Sequence, residues 1–246
     1  MTFFNVYDDR ERAQAYASLE FPGTYYLAYR DLAEIIAKHL SLPRTALDVG
    51  CGTGRSTRFL ERLGLATIGV DIAPDMLAEA RRRDPTGDYR RIDESSWATF
   101  ADKSFDLVTA IFTFDNIPTG EQKTALLRAM KRVVADDGAI VAVVSSPEIY
   151  VNEWASFTTR DFPENTSAQS GDRVRIVMLD VPDRRPVEDV LWSPEAYASV
   201  FRESGLQIVE IRRPLGATNE PFQWVSETAI APWTIYVLRK VARASH

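Results

Sequence analysis

The stretch LDVGCGTG, residues 47–54, sets an acid, Asp48, ahead of glycines at 50, 52 and 54. Backbone without a Cβ lets a ligand lie directly against it, and a helix opening behind such a turn offers unpaired N–H groups. A second acid, Asp71, ends the apolar run IGVD, where a carboxylate can accept hydrogen bonds from a pair of neighbouring hydroxyls. Asp93, with Glu94 beside it, follows a third run. Cys51 lies between two glycines with no His or second Cys near in sequence, so it reads as a small residue of the turn. Histidine is scarce. His39 in IIAKHL reads as a helix-end surface group and His246 as a frayed terminus. The available bases are therefore Asp115, Glu153, Asp161, Glu164 and a tyrosine such as Tyr150.

These residues need a frame, and the pattern supplies one. TALDVG is a short buried strand, Ser56 to Leu63 is helical, and LATIGVD is a second strand ending in Asp71. Pro74 to Arg83 fits a helix with proline in its first turn. DYRRID and FDLVTAIF are strands, Glu121 to Val134 is a helix stopped by DDG, and AIVAVVSS is a fifth strand. The alternation implies a parallel sheet covered on both faces. It fails from Pro147 to Trp192, where RVRIVMLDV and PVEDVLW suggest an antiparallel excursion. A helix then follows, with Ser193 as N-cap and Gly205 past its end, and LQIVEIRR and WTIYVLRKV close as strands. Residues 9–40 look helical in two pieces, broken at Phe21–Gly23.

Of 246 residues, 45% are apolar, enough for a large core, and the net charge of −6 with no basic patch makes nucleic acid a poor partner. The apolar run at 139–144 is far too short to span a membrane, and the N-terminus lacks a secretory pattern. One cysteine cannot form an internal disulfide. A cytoplasmic enzyme acting on a small molecule, as a monomer or homodimer, is the expectation.

Three ligands compete for the glycine turn. A P-loop needs Lys-Ser/Thr at its end, where Arg55-Ser56 stand. A dinucleotide fingerprint started at Gly50 finds Arg55 at its last glycine. LDVGCGTG instead resembles the first motif of the class I S-adenosylmethionine-dependent methyltransferases, and IAPDM resembles the run that follows their second strand. The resemblance covers roughly residues 45–145. It implies a Rossmann-like α/β sheet of seven strands in the order 3-2-1-4-5-7-6, with strand 7 antiparallel. Residues 1–40 would be a helical cap, 41–145 and 193–246 the cofactor-binding core, and 146–192 a substrate-pocket insertion.

By that resemblance Asp48 would hold the cofactor's ammonium directly or through water, and Gly50, Cys51, Gly52 and Gly54 its methionine and ribose. Asp71 would hold the ribose hydroxyls, Ile72 and Met76 would flank the adenine, and Asp93 or Glu94 would meet its amino group. Ile111 and Phe112 would touch the cofactor, the helix with Tyr25 and Arg30 would close over it with Arg30 pairing with its carboxylate and a tyrosine facing the sulfonium, and S-adenosyl-L-homocysteine would be the product. Phe114, Asn116, Glu153, Trp154 and Trp192 would bind the acceptor, with Asp115 and Tyr150 catalytic. No metal is implied.

The layout also resembles small-molecule methyltransferases of specialised metabolism, including toxoflavin-synthase-like N-methyltransferases. The aromatic-rich insertion suits a planar acceptor. The shortage of histidine favours nitrogen over oxygen, because a nitrogen lone pair needs alignment more than a base. A silent S-adenosylmethionine-binding protein and an NAD-dependent oxidoreductase are the alternatives.

Overall fold

A computed structural model of the chain describes residues 20–93 and 95–241, together with Gln14. Glu94, His246 and the first of the two expected N-terminal helical pieces lie outside the described residues.

The described chain opens with α1 (Thr24–Arg30) and α2 (Leu32–His39). Five strands follow in βα alternation: β1 (Thr45–Val49), β2 (Ala66–Asp71), β3 (Asp88–Arg91), β4 (Phe105–Ile111) and β5 (Val134–Ser145). They are joined by α3 (Arg55–Arg62), α4 (Pro74–Arg83) and α5 (Gly120–Val133). An insertion carries β6 (Phe157–Thr158), β7 (Arg173–Met178) and β8 (Val187–Val190). Then come α6 (Pro194–Glu203), β9 (Leu206–Arg212) and β10 (Trp233–Lys240). The main sheet runs β3-β2-β1-β4-β5-β10-β9, with β10 antiparallel to both neighbours, which is the expected Rossmann-like methyltransferase order. The insertion forms its own antiparallel sheet, β6-β7-β8, so RVRIVM and VEDV do pair as strand and return.

The helix ends follow local chemistry. Pro74 occupies the first turn of α4, and Arg81, Arg82 and Arg83 lie in its last turn, where cations complement the helix dipole. The Ser193 hydroxyl accepts the Ala196 N–H at 3.2 Å and starts α6. One expectation is corrected at α5: Asp136, Asp137 and Gly138 do not form a loop after the helix. β5 begins at Val134, and a register shift against Phe105 and Leu107 absorbs these residues.

Strand side chains alternate between two cores. Ala46, Leu107, Val141 and Ile235 face α1, α2 and the insertion, whereas Leu47, Val108, Ile140 and Tyr236 face α5 and α6. The segment 213–232, between β9 and β10, crosses to the cap. Its fully buried Glu227 accepts the Thr24 hydroxyl at 2.6 Å and the Ala155 N–H at 2.8 Å. Thr24 and Ser156 exchange reciprocal backbone-to-hydroxyl bonds of 2.9 and 3.0 Å. The start of α1, the insertion and segment 213–232 are thus tied at one buried junction beside the strand ends. Among the described residues no helix is long and apolar enough to cross a membrane.

Candidate functional site

A cavity of about 730 Å³ opens at the carboxyl ends of β1, β2, β4 and β5, the edge where open α/β sheets take ligands. Its floor is the glycine turn. A Cβ on Gly50 would fall 2.4 Å from Thr113 Oγ1, and the Thr113 hydroxyl donates to the Val49 carbonyl at 2.7 Å. The turn therefore packs bare backbone against the loop after β4. Asp71 fixes the other side: its two oxygens accept the N–H groups of Gly52 (2.7 Å) and Ala73 (2.9 Å). Burial raises its carboxyl from the ordinary range, opposed by those backbone donors. Lone pairs beyond these two bonds leave Asp71 able to accept from a ligand.

Asp48 lies deeper than the glycine turn it precedes. Register places it between Gly69 and Thr109, below the cavity, and it is fully buried. It accepts hydroxyls from Ser56 (2.6 Å), Thr57 (2.8 Å) and Thr109 (2.8 Å). It does not line the cavity, although Ser56 does, so Asp48 anchors the first turn of α3 to the sheet. Gly54 is also off the wall, because a Cβ there would meet the Tyr89 ring and hydroxyl, the latter at 2.6 Å.

Of the other expected cofactor residues, Tyr25, Cys51, Gly52, Ile72, Met76, Asp93, Ile111 and Phe112 line the cavity. Asp93 holds its turn through the Ser95 and Ser96 hydroxyls and the Ser96 N–H, which pull its carboxyl down to about 2. Phe112 has φ of +63°, unusual for a bulky side chain. Its N–H donates to the Val143 carbonyl at 2.9 Å, and its ring lies 4.7 Å from that of Trp233 and 5.8 Å from that of Tyr25. Backbone held in such a conformation costs about 1–3 kcal/mol and collects at functional sites.

Arg30 is corrected. It is bound to Asp31, to Glu220 at 2.8 Å and to the Leu215 carbonyl, away from the cavity. The arginine on the wall is Arg55, whose guanidinium lies 4.6 Å from the Tyr25 ring centre and 5.4 Å from that of Tyr29. In sequence Arg55 had registered only as a missing glycine. Its place on the first turn of α3, facing α1, is a tertiary fact.

The far end of the cavity is walled by Tyr25, Tyr150, Phe157 and Trp233 together with Ile176 and Met178 of β7. Asp115 and Asn116 enter it from the turn after β4. Asp115 accepts the Ser145 hydroxyl at 2.9 Å and the Ser145 N–H at 3.2 Å, and burial raises its carboxyl above the usual range. The Tyr150 hydroxyl donates to Asp189 at 3.1 Å, and burial raises that phenol well above its ordinary range.

Four expected acceptor residues do not line the cavity. Phe114 is fully buried in the core beneath β4. Glu153 binds Thr158 and Thr159 of its own loop, and Trp154 is buried with Nε1 donating to the Ile149 carbonyl at 2.8 Å. Trp192 covers Lys123. Of the remaining base candidates, Glu164 pairs with Arg175 and Asp161 is exposed; His39, read as a helix-end surface group, contacts Glu210 at 2.7 Å. Asp189, Trp233 and Lys123 were not anticipated. Trp233 had a signal, since the first residue of an antiparallel last strand lies at the ligand edge. Lys123 had one too, since it falls on the apolar stripe of Leu127 and Met130.

Residues 47–142 match the family model described as a methyltransferase domain. The chain carries a class I S-adenosylmethionine-dependent methyltransferase domain. A curated demethylmenaquinone methyltransferase of Tropheryma whipplei (strain Twist) is 42% identical over 77 residues, 29% of this chain and 30% of that one. The match thus spans less than a third of that relative. A dTDP-3-amino-3,6-dideoxy-alpha-D-glucopyranose N,N-dimethyltransferase of Streptomyces fradiae is 26% identical over 201 residues, 75% of this chain and 78% of its own. The solved structure of an S-adenosylmethionine-dependent methyltransferase from Methanosarcina mazei shares the fold with a TM-score of 0.61 at 14% identity, covering 85% of this chain and 98% of that one.

The walls suit the cofactor of this methyltransferase domain. A Cβ at Gly52 would meet nothing closer than Met76 Cε at 3.9 Å, so the bare backbone faces open space. Beside it stand a carboxylate, Asp71, two apolar side chains, Ile72 and Met76, and one cation, Arg55. These complement hydroxyls, a flat ring and a carboxylate in turn.

Proposed function

We propose that this chain transfers the methyl group of S-adenosylmethionine to a nitrogen of a small, aromatic or heterocyclic acceptor. The observation that carries the reading is the continuity of the cavity. It runs from the glycine turn to an aromatic end, and the carboxylates Asp115 and Asp189 are among its lining groups. Bound at the turn, S-adenosylmethionine supplies a methyl group on a positively charged sulfur. Asp71 holds the ribose hydroxyls, Ile72 and Met76 flank the adenine with Asp93 at its edge, and Arg55 takes the carboxylate in place of Arg30. The rings of Tyr25, Phe157 and Trp233 exclude water and hold a flat acceptor. Asp115 accepts a hydrogen bond from the acceptor's N–H and so aims its lone pair. Alignment of this kind can supply on the order of 7 kcal/mol. The Streptomyces relative, named as an N,N-dimethyltransferase, supports nitrogen.

The test is direct. Calorimetry should show that S-adenosylmethionine binds, and a panel of aryl and heteroaryl amines with their phenol counterparts should yield N-methyl products by NMR. No cofactor binding would overturn the whole reading, and an O-methyl product would overturn the nitrogen preference. Arg55→Ala should weaken S-adenosylmethionine by about 1.5–3 kcal/mol, the range for a hydrogen bond to a charged group. Methylthioadenosine, which lacks the carboxylate, should bind the variant as it binds the wild type. An equal loss for both ligands would remove Arg55 from that role.

A further inference from the structure

Lys123 lies outside the cavity, and its side chain is fully buried in the second turn of α5. A lysine loses its hydration on burial, so this position needs specific partners. Its ammonium donates to the carbonyl of Phe114 and lies 4.7 Å from the Trp192 ring centre, 5.6 Å from that of Tyr197 and 6.0 Å from that of Phe114. Phe114 opens the single turn, Phe114–Asn116, that carries Asp115 into the cavity. The Lys123 charge acts on Asp115 from below and is itself supported by Asp115 and by Asp189 of β8. Tyr150, after β5, and Tyr197 of α6 also act on Asp115 and Asp189, and burial raises both phenols well above their ordinary range.

We propose that Lys123 is a positioning residue for Asp115: it clamps the turn that delivers the carboxylate and supplies the positive charge that keeps it ionised. This rests on the reading of Asp115 as the group that meets the acceptor. Burial works against both members of the pair, raising the acid and lowering the lysine. Each favours the charged form of the other, and the Phe114 carbonyl ties the ammonium to the backbone of the turn that carries Asp115. Without the ammonium, Asp115 would be a desolvated carboxyl held by Ser145, and its protonated form would dominate to higher pH.

The experiment is a ¹³C NMR titration of the aspartate-labelled protein, with Asp115 assigned by loss of its signal in Asp115→Asn. In Lys123→Met the Asp115 midpoint should rise by about 1–3 pH units, the effect of losing a close opposite charge. The low-pH limb of kcat should move with it while S-adenosylmethionine affinity stays unchanged. A folded Lys123→Met protein with an unmoved Asp115 midpoint would overturn the proposal. Should Lys123→Met not fold, the double variant Lys123→Met/Asp115→Asn should fold, since the stranded carboxylate is gone. A double variant that also fails to fold would overturn the proposal. A wild type that transfers no methyl group would sink the functional reading, and the titration would still decide the role of Lys123.

Discussion

Gly52→Val should reduce S-adenosylmethionine affinity at least a hundredfold while leaving the protein folded. Two effects act together. Gly52 has φ of +54°, a conformation in which a β-branched residue is strained by roughly 1–2 kcal/mol. The larger effect is occupancy, because the new side chain would enter the space between the turn and Met76, where a Cβ meets no protein atom closer than 3.9 Å. A hundredfold loss corresponds to about 2.8 kcal/mol. The Gly52 N–H is retained by valine and can still donate to Asp71, so the turn keeps its tie to β2. Gly52→Ala should lie between wild type and valine. Gly50→Ala should behave differently, since its Cβ would meet Thr113 and strike the fold before the ligand. Calorimetry with circular dichroism separates these cases. A folded Gly52→Val protein that binds normally would remove the turn from the cofactor site.

The sheet was legible because strands such as β1 and β2 are short apolar runs whose ends carry a turn residue or an acid, as at Val49-Gly50 and Val70-Asp71. The same punctuation located the cavity, since the glycine turn and the Asp71 tip lie at one edge of any parallel sheet. Side-chain direction was not legible. Arg30 and Arg55 both carry the charge a carboxylate needs, and only the packing of α1 on α3 decides between them. Asp48 follows the family pattern, yet the hydroxyls of Thr109 across the sheet and of Ser56 and Thr57 on α3 donate to its oxygens. In the insertion the aromatics were read as one group. Tyr150 and Phe157 reach the cavity, whereas Trp154 turns to the Ile149 carbonyl and Trp192 to Lys123. The contribution of segment 213–232 was invisible because it is made by one buried glutamate joining strand-distant loops.

Asp115→Asn should lower turnover by roughly ten- to a hundredfold and leave S-adenosylmethionine affinity unchanged. Asparagine keeps the shape and can still accept from the Ser145 N–H through Oδ1, so the turn stays in place. What is lost is the charge proposed to orient the acceptor's N–H. General acid–base catalysis is typically worth about 10² to 10⁴, so a loss near or below the lower bound fits orientation of a nitrogen that already has its lone pair. The sign of the pH dependence follows from burial. Asp115 is raised above the ordinary carboxylate range, so wild-type kcat should climb as pH rises through that raised value and then level off. The climb should be absent in Asp115→Asn, whose amide does not titrate. Below that value both proteins carry a neutral group and their rates should converge. A loss approaching 10⁴ at the plateau, joined to an O-methyl product, would make Asp115 the base that removes a hydroxyl proton. A pH profile identical in wild type and Asp115→Asn would take the residue out of the reaction altogether.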